Sequence, residues 1–120
     1  MKQRIAIDMD EVIADAISAM LAAYNQEFDE ALTLADLHGK HIQAAIHPER
    51  RHRIDEYVLA DGFFRHLEVM PDSQRVIADL SERYEIFITT AAMEYPTSFT
   101  AKYEWLREHF SCIPASHIVF

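Results

Sequence analysis

The stretch Ile5-Ala6-Ile7-Asp8-Met9-Asp10-Glu11-Val12-Ile13-Ala14-Asp15 decides the fold. It starts, from Arg4, as a short apolar run that ends in acid at Asp8, the pattern of a strand buried in a parallel sheet. From Ile13 the period changes. Ile13, Ile17, Met20, Leu21, Tyr24 and Phe28 recur at helical spacing and give one apolar face. Alternate residues leaving a strand point the same way, about 6 to 7 Å apart, so Asp8 and Asp10 offer two carboxylates to one point. Two carboxylates so placed can share a hard cation and leave room for a phosphate. One can attack phosphorus while its neighbour moves the proton. A strand that runs into acidic loop residues, or a helix cap, accounts for D-x-D at least as well when nothing else is considered.

Further along, Glu85-Ile86-Phe87-Ile88-Thr89-Thr90 reads as a second buried strand, and His117-Ile118-Val119-Phe120 begins a third. Pro71-Asp72-Ser73 starts a helix with Val76, Ile77, Leu80 and Tyr84 on one side. Residues 91–98 read as a loop, and Phe99 to Phe110 as a helix with Phe99, Tyr103, Leu106 and Phe110 inward. The order predicts an α/β fold, a Rossmann-like parallel sheet with right-handed crossovers. Ligands of such sheets bind beyond the carboxyl ends of the strands, where Asp8 and Thr90 fall.

The excursion of about 55 residues after the first strand is too long for a simple crossover. It holds the Ile13–Phe28 helix, a helical turn over 32–39, and a helix from Pro48 through Ile54, Tyr57 and Val58 to near Asp61-Gly62. Residues 13–66 are therefore expected to form a small helical cap, and residues 1–12 with 67–120 the catalytic core.

The 120 residues are 50% hydrophobic with 2 glycines, a composition for one globular domain. A net charge of −9, from 20 acidic and 11 basic residues, argues against duplex nucleic acid and anionic membranes as partners. Arg50-Arg51-His52-Arg53 reads as a solvated helix face. Cys112 is the single cysteine, which rules out an internal disulfide and makes the cytoplasm the expected compartment. No run approaches the ~18 apolar residues that span a bilayer. The seven histidines lack the spacing of a zinc helix.

Two more polar residues lie near the strand ends. The Thr90 hydroxyl can bond a phosphate oxygen, although Thr in a strand also serves packing. Lys102 flanks the apolar stripe of its helix, a position that suits a snorkelling surface lysine or one that neutralises a phosphorylated group. Phe63 and Phe64 sit where the excursion rejoins the core.

Residues 5–15 closely resemble the first motif of haloacid dehalogenase superfamily phosphatases, and more narrowly the D-M-D-x-V-x-A-D of the 5′(3′)-deoxyribonucleotidase group. The resemblance implies that Asp8 is the nucleophile and Asp10 the general acid/base. It also implies magnesium (Mg2+) held by Asp8 and by Asp10 through its main-chain carbonyl. Glu11 stands where many of that group have Gly. Phe87-Ile88-Thr89-Thr90 resembles the second motif, with Thr90 and the adjoining Ala91 holding the phosphoryl group. Ala101-Lys102-Tyr103-Glu104-Trp105-Leu106 resembles the third, with Lys102 twelve positions after Thr90. In such relatives a Phe-Phe pair at the cap's return helps sandwich the base, which makes Phe63 and Phe64 candidates for the substrate pocket. A further aromatic of the vertebrate-type enzymes is replaced by Ala16. The resemblance spans essentially the whole chain and is specific over residues 5–15, 63–72 and 86–106.

The activity so implied is hydrolysis of a small phosphorylated substrate, a 5′- or 3′-nucleotide, through an aspartyl phosphate. A phosphatase for a small non-nucleotide ester and a non-catalytic remnant of this fold are the alternatives. A signalling receiver domain fits less well, because Thr90 and Lys102 share one strand–loop–helix segment. The fourth motif of the family, an acidic pair at a further strand end, is missing: no Asp follows Asp79. The expectation is a truncated chain that binds magnesium weakly and shows little magnesium-dependent turnover, and that either self-associates, as a homodimer for example, through the edge of the Arg4–Asp8 strand or depends on a missing segment.

Overall fold

The structure is a computed structural model that describes residues 2–91 and 95–120. In chain order it contains β1 (Arg4–Asp8), β2 (Ala14–Asp15), α1 (Ala16–Phe28), α2 (Ile42–Ala45) and α3 (Arg51–Leu59). There follow β3 (Glu68–Val69), α4 (Ser73–Ser81), β4 (Glu85–Thr89), α5 (Ser98–His109) and β5 (Ile118–Val119). The fold is α/β, built on a parallel three-stranded sheet in the order β1-β4-β5.

Register is what positions the polar residues. Asp8 lies opposite Thr89, and the ladder runs one step further as the Met9 N–H donates to the Thr89 carbonyl at 3.1 Å. The Thr90 N–H likewise reaches the Val119 carbonyl at 3.0 Å. The carboxyl ends of β1 and β4 are therefore level, and residues just past them meet.

The main core gathers Met9, Ile13, Ile86, Ile88, Trp105 and Phe110, all buried. In β4, alternation sends Ile86 and Ile88 into it. Trp105 is wholly buried and its indole N–H donates to the Leu67 carbonyl at 2.8 Å, so the largest core side chain leaves no polar atom unpaired. A second apolar cluster, Leu21, Tyr24, Leu37, Ile42, Ile46 and Ile54, packs α1 against α2 and α3. The chain leaves for this helical region through β2 and returns through β3. These pair antiparallel, Ala14 with Val69 and Asp15 with Glu68.

Three local readings of the sequence shift. The first helix begins at Ala16 rather than Ile13. Glu11 sits at φ 64°, and the Met9 carbonyl accepts from the N–H groups of Val12, Ile13 and Ala14, a tight turn that delays the helix. Asp15 then caps it, accepting from the Ser18 N–H at 3.0 Å. In α4 Val76 is exposed, and in α5 Tyr103 is exposed while Ser98, Lys102, Trp105 and Leu106 are buried. The inward face of α5 is rotated, at about 100° per residue, onto the 98/102/105 line. Among the described residues no helix is long and apolar enough to cross a membrane.

Candidate active site

Alternation at the end of β1 separates Met9 from its neighbours. Met9 is wholly buried in the core, which sends Asp8 and Asp10 to the opposite side, above the sheet. The Thr89 hydroxyl donates to Asp8 Oδ1 at 2.9 Å and fixes that carboxylate at the strand end. The positive φ of Glu11 turns the chain back immediately after Asp10.

Lys102 is the residue that ties the site together. Its side chain is 0% exposed. The ammonium donates to Thr90 Oγ1 at 2.7 Å, to Asp10 Oδ2 at 3.1 Å and to the Ala91 carbonyl at 3.2 Å. Thr90 accepts in this bond and keeps its own O–H to donate elsewhere. Of the expected site residues, Asp8, Asp10, Thr90 and Ala91 line one cavity of about 240 Å³, with Lys102 buried behind them.

Asp10 also faces a neighbouring cleft of about 250 Å³, walled mostly by the helical region. Its lining includes Glu11, Met20, His41, Gln43, Val58 and Phe64. Phe64 is 6% exposed, and its ring lies 4.5 Å from the Lys102 ammonium. Phe63 stands edge-on against Phe64 at 5.1 Å between centroids and does not line the cleft. His41 and Gln43 carried no signal in the sequence, because they come from a separate segment that only the fold brings to Asp10. Glu11 Oε1 accepts from the Ile17 N–H at 2.8 Å. Burial pushes the Glu11 carboxyl above the usual glutamate range, with the Ile17 hydrogen bond opposing and Asp15 adding to the rise.

Two acidic residues here can hold a divalent cation. Among the described residues Asp10 Oδ1 is buried without a hydrogen-bond partner, and the Asp8 carboxylate lies in the same cavity. Among the described residues no group of three or more His, Cys, Asp or Glu side chains converges. Magnesium keeps several waters and is held by one or two carboxylates plus substrate phosphate, so this donor set suits it.

Comparison with known proteins adds an independent observation. The family model described as "5' nucleotidase, deoxy (Pyrimidine), cytosolic type C protein" matches residues 2–120. A Staphylococcus epidermidis protein, provisionally named a 5'(3')-deoxyribonucleotidase, is 46% identical over 119 residues, covering 99% of this chain and 66% of its own length. A Staphylococcus aureus protein of the same provisional name is 44% identical with the same coverage. The 5'(3')-deoxyribonucleotidase of Bacillus subtilis is 39% identical over 99% of this chain and 67% of its own length. The chain thus spans about two thirds of the length of these relatives.

Proposed function

The chain belongs to the 5' nucleotidase, deoxy (pyrimidine), cytosolic type C family, and from that premise we propose that it hydrolyses phosphomonoesters, with a 5′- or 3′-deoxynucleotide as substrate. The observation that carries the reading is the convergence of Asp8, Asp10, Thr90 and the buried Lys102 at the level ends of β1 and β4. In the proposed reaction an Asp8 oxygen attacks phosphorus in line. The bond from phosphorus to the leaving oxygen breaks, and Asp10 gives that oxygen its proton. Asp10 then takes a proton from water, whose oxygen attacks the aspartyl phosphate, frees phosphate and restores Asp8. Thr90 donates its O–H to a phosphoryl oxygen, the Ala91 segment lies against the same group, and Lys102 offsets its charge. Magnesium would be held by the Asp8 carboxylate and by Asp10 through its main-chain carbonyl, and would supply further charge neutralisation when bound.

The nucleoside occupies the cleft between residues 13–66, acting as a cap, and the core of residues 1–12 and 67–120. Phe64 lines that cleft, and Phe63 backs Phe64. The protein works in the cytoplasm, with a homodimer as its simplest assembly. The test is phosphate release from deoxynucleoside monophosphates with magnesium, compared between the parent protein and Asp8→Asn. Turnover that survives the substitution would refute the mechanism.

A further inference from the structure

We infer that Phe64 is a positioning residue for the Lys102 ammonium, holding it toward the phosphoryl group through the face of its ring. The inference rests on the phosphate-binding role proposed for Lys102. An ammonium has three donors, and here Thr90, Asp10 and the Ala91 carbonyl take them. The Phe64 ring also faces the charge, its centroid 4.5 Å from Nζ. A cation over an aromatic face is attracted by the ring quadrupole, most strongly where water is excluded. Both side chains are buried here.

Phe64 is itself held against the helix that carries the lysine. Arg65, next in the chain, pairs with Glu104 at 3.2 Å and Glu108 at 2.8 Å, both on α5. Leu67 accepts from Trp105 on the same helix. Residues 64–67, by which the helical region returns to the core, thus grip α5 within a turn or two of Lys102. An aliphatic side chain of similar bulk would fill the space without attracting the charge, leaving Nζ free to settle deeper on Asp10 and the Ala91 carbonyl. The phosphoryl group would lose part of the positive charge set beside it, whatever leaving group it carries.

The experiment compares the full chain with Phe64→Leu and Phe64→Tyr, using nuclear magnetic resonance to read the Lys102 side chain. Calorimetric titrations with inorganic phosphate and with a deoxynucleoside monophosphate, both in magnesium, accompany it. A ring over the ammonium shifts the Lys102 terminal methylene signals upfield; Phe64→Leu should abolish that shift and Phe64→Tyr retain it. Phe64→Leu should weaken binding of phosphate and of the nucleotide by the same factor, about tenfold, with Phe64→Tyr near the parent. Phe64→Met serves with the same expectations if the Leu variant does not fold. Unmoved Lys102 signals in the aliphatic variants would overturn the inference. So would a loss confined to the nucleotide, which marks a base contact instead. If the parent protein binds no phosphate, the proposed function fails, while the Lys102 signals still decide the placement of Phe64.

Discussion

The Lys102 ammonium donates to the Thr90 hydroxyl at 2.7 Å, joining the first residue past β4 to the middle of α5. The bond ties the hydroxyl proposed to bind phosphate directly to the cation. A fully buried ammonium is costly to desolvate and is held by acceptors that must all be present. The asymmetry between Lys102 and its acidic partner makes the first prediction.

Lys102 is 0% exposed and Asp10 36% exposed in their ion pair. Removing the buried member leaves a carboxylate that water can reach, and removing the open member strands a buried charge. Asp10→Ala should therefore destabilise by about 2 kcal/mol, a figure reduced from buried-pair values because Asp10 is partly solvated. Lys102→Met should cost less than about 1 kcal/mol or even stabilise, while abolishing phosphate binding. Denaturant melts of the two variants check the order, and the reverse order would show that Asp10 does not hold the ammonium in place.

Glu11 combines a strained backbone with a useful side chain: φ is 64°, and its carboxylate accepts from the Ile17 N–H. Glu11→Ala loses the hydrogen bond and keeps the strain, at a cost of about 1 kcal/mol. Glu11→Gly loses the same bond but relieves the backbone, so its stability should fall close to the parent's. Equal losses in the two variants would mean that the turn stores no strain.

A pH dependence follows from Glu27. Arg53 donates to it at 2.8 and 2.7 Å, the Tyr57 hydroxyl donates as well, and Arg53 chiefly holds the carboxyl below the usual glutamate range. Because the folded value is depressed, this contribution is complete above the ordinary glutamate pKa. It fades as pH falls through the lowered value. Tyr57 behaves oppositely: burial first, then Glu27, pushes its phenol up to about 12, so its contribution is lost as pH rises toward that value. Hydrogen exchange in α1 and α3 should accelerate at both extremes, with the acid limb missing in Glu27→Gln. An unchanged acid limb in that variant would exclude Glu27 as its origin.

Substrate discrimination should be shallow. Ala16 stands where vertebrate-type relatives were expected to offer an aromatic, and Phe64 turns its ring toward Lys102. Losing one stacked aromatic removes about 1 to 3 kcal/mol of base contact, so kcat/KM across deoxynucleoside monophosphates should differ by less than about 100-fold. A steeper preference for one base would point to hydrogen-bond readout by cleft residues such as Gln43 or His41.

The strands and the site's polar residues were legible because each carried a local signal. Ile5-Ala6-Ile7 before Asp8, and Ile86-Phe87-Ile88 before Thr89-Thr90, are apolar runs that end abruptly in polar residues. The two-residue β2 and β3 were not, since a pairing that short has no alternation to read. The Asp15 cap set the start of α1 against a hydrophobic period that already began at Ile13. Lys102 sat beside the apolar stripe as read from sequence. Only the rotation of α5 showed that its whole side chain is buried, leaving Tyr103 outside. Of the cleft lining, Phe64 was named through the resemblance, while His41 and Gln43 were not, because they join it through packing alone.

Whether Asp8 carries the phosphoryl group can be read by rapid acid quenching with peptide mapping. Protein is mixed with magnesium and a deoxynucleoside monophosphate, quenched, and digested. The Asp10→Asn variant is run in parallel to slow hydrolysis of any intermediate. A hydroxylamine-sensitive phosphate should appear on the peptide containing Asp8, more abundant in Asp10→Asn and absent from Asp8→Asn. Phosphate release by the parent protein with no adduct in either the parent or Asp10→Asn, or release that persists in Asp8→Asn, would contradict that role for Asp8.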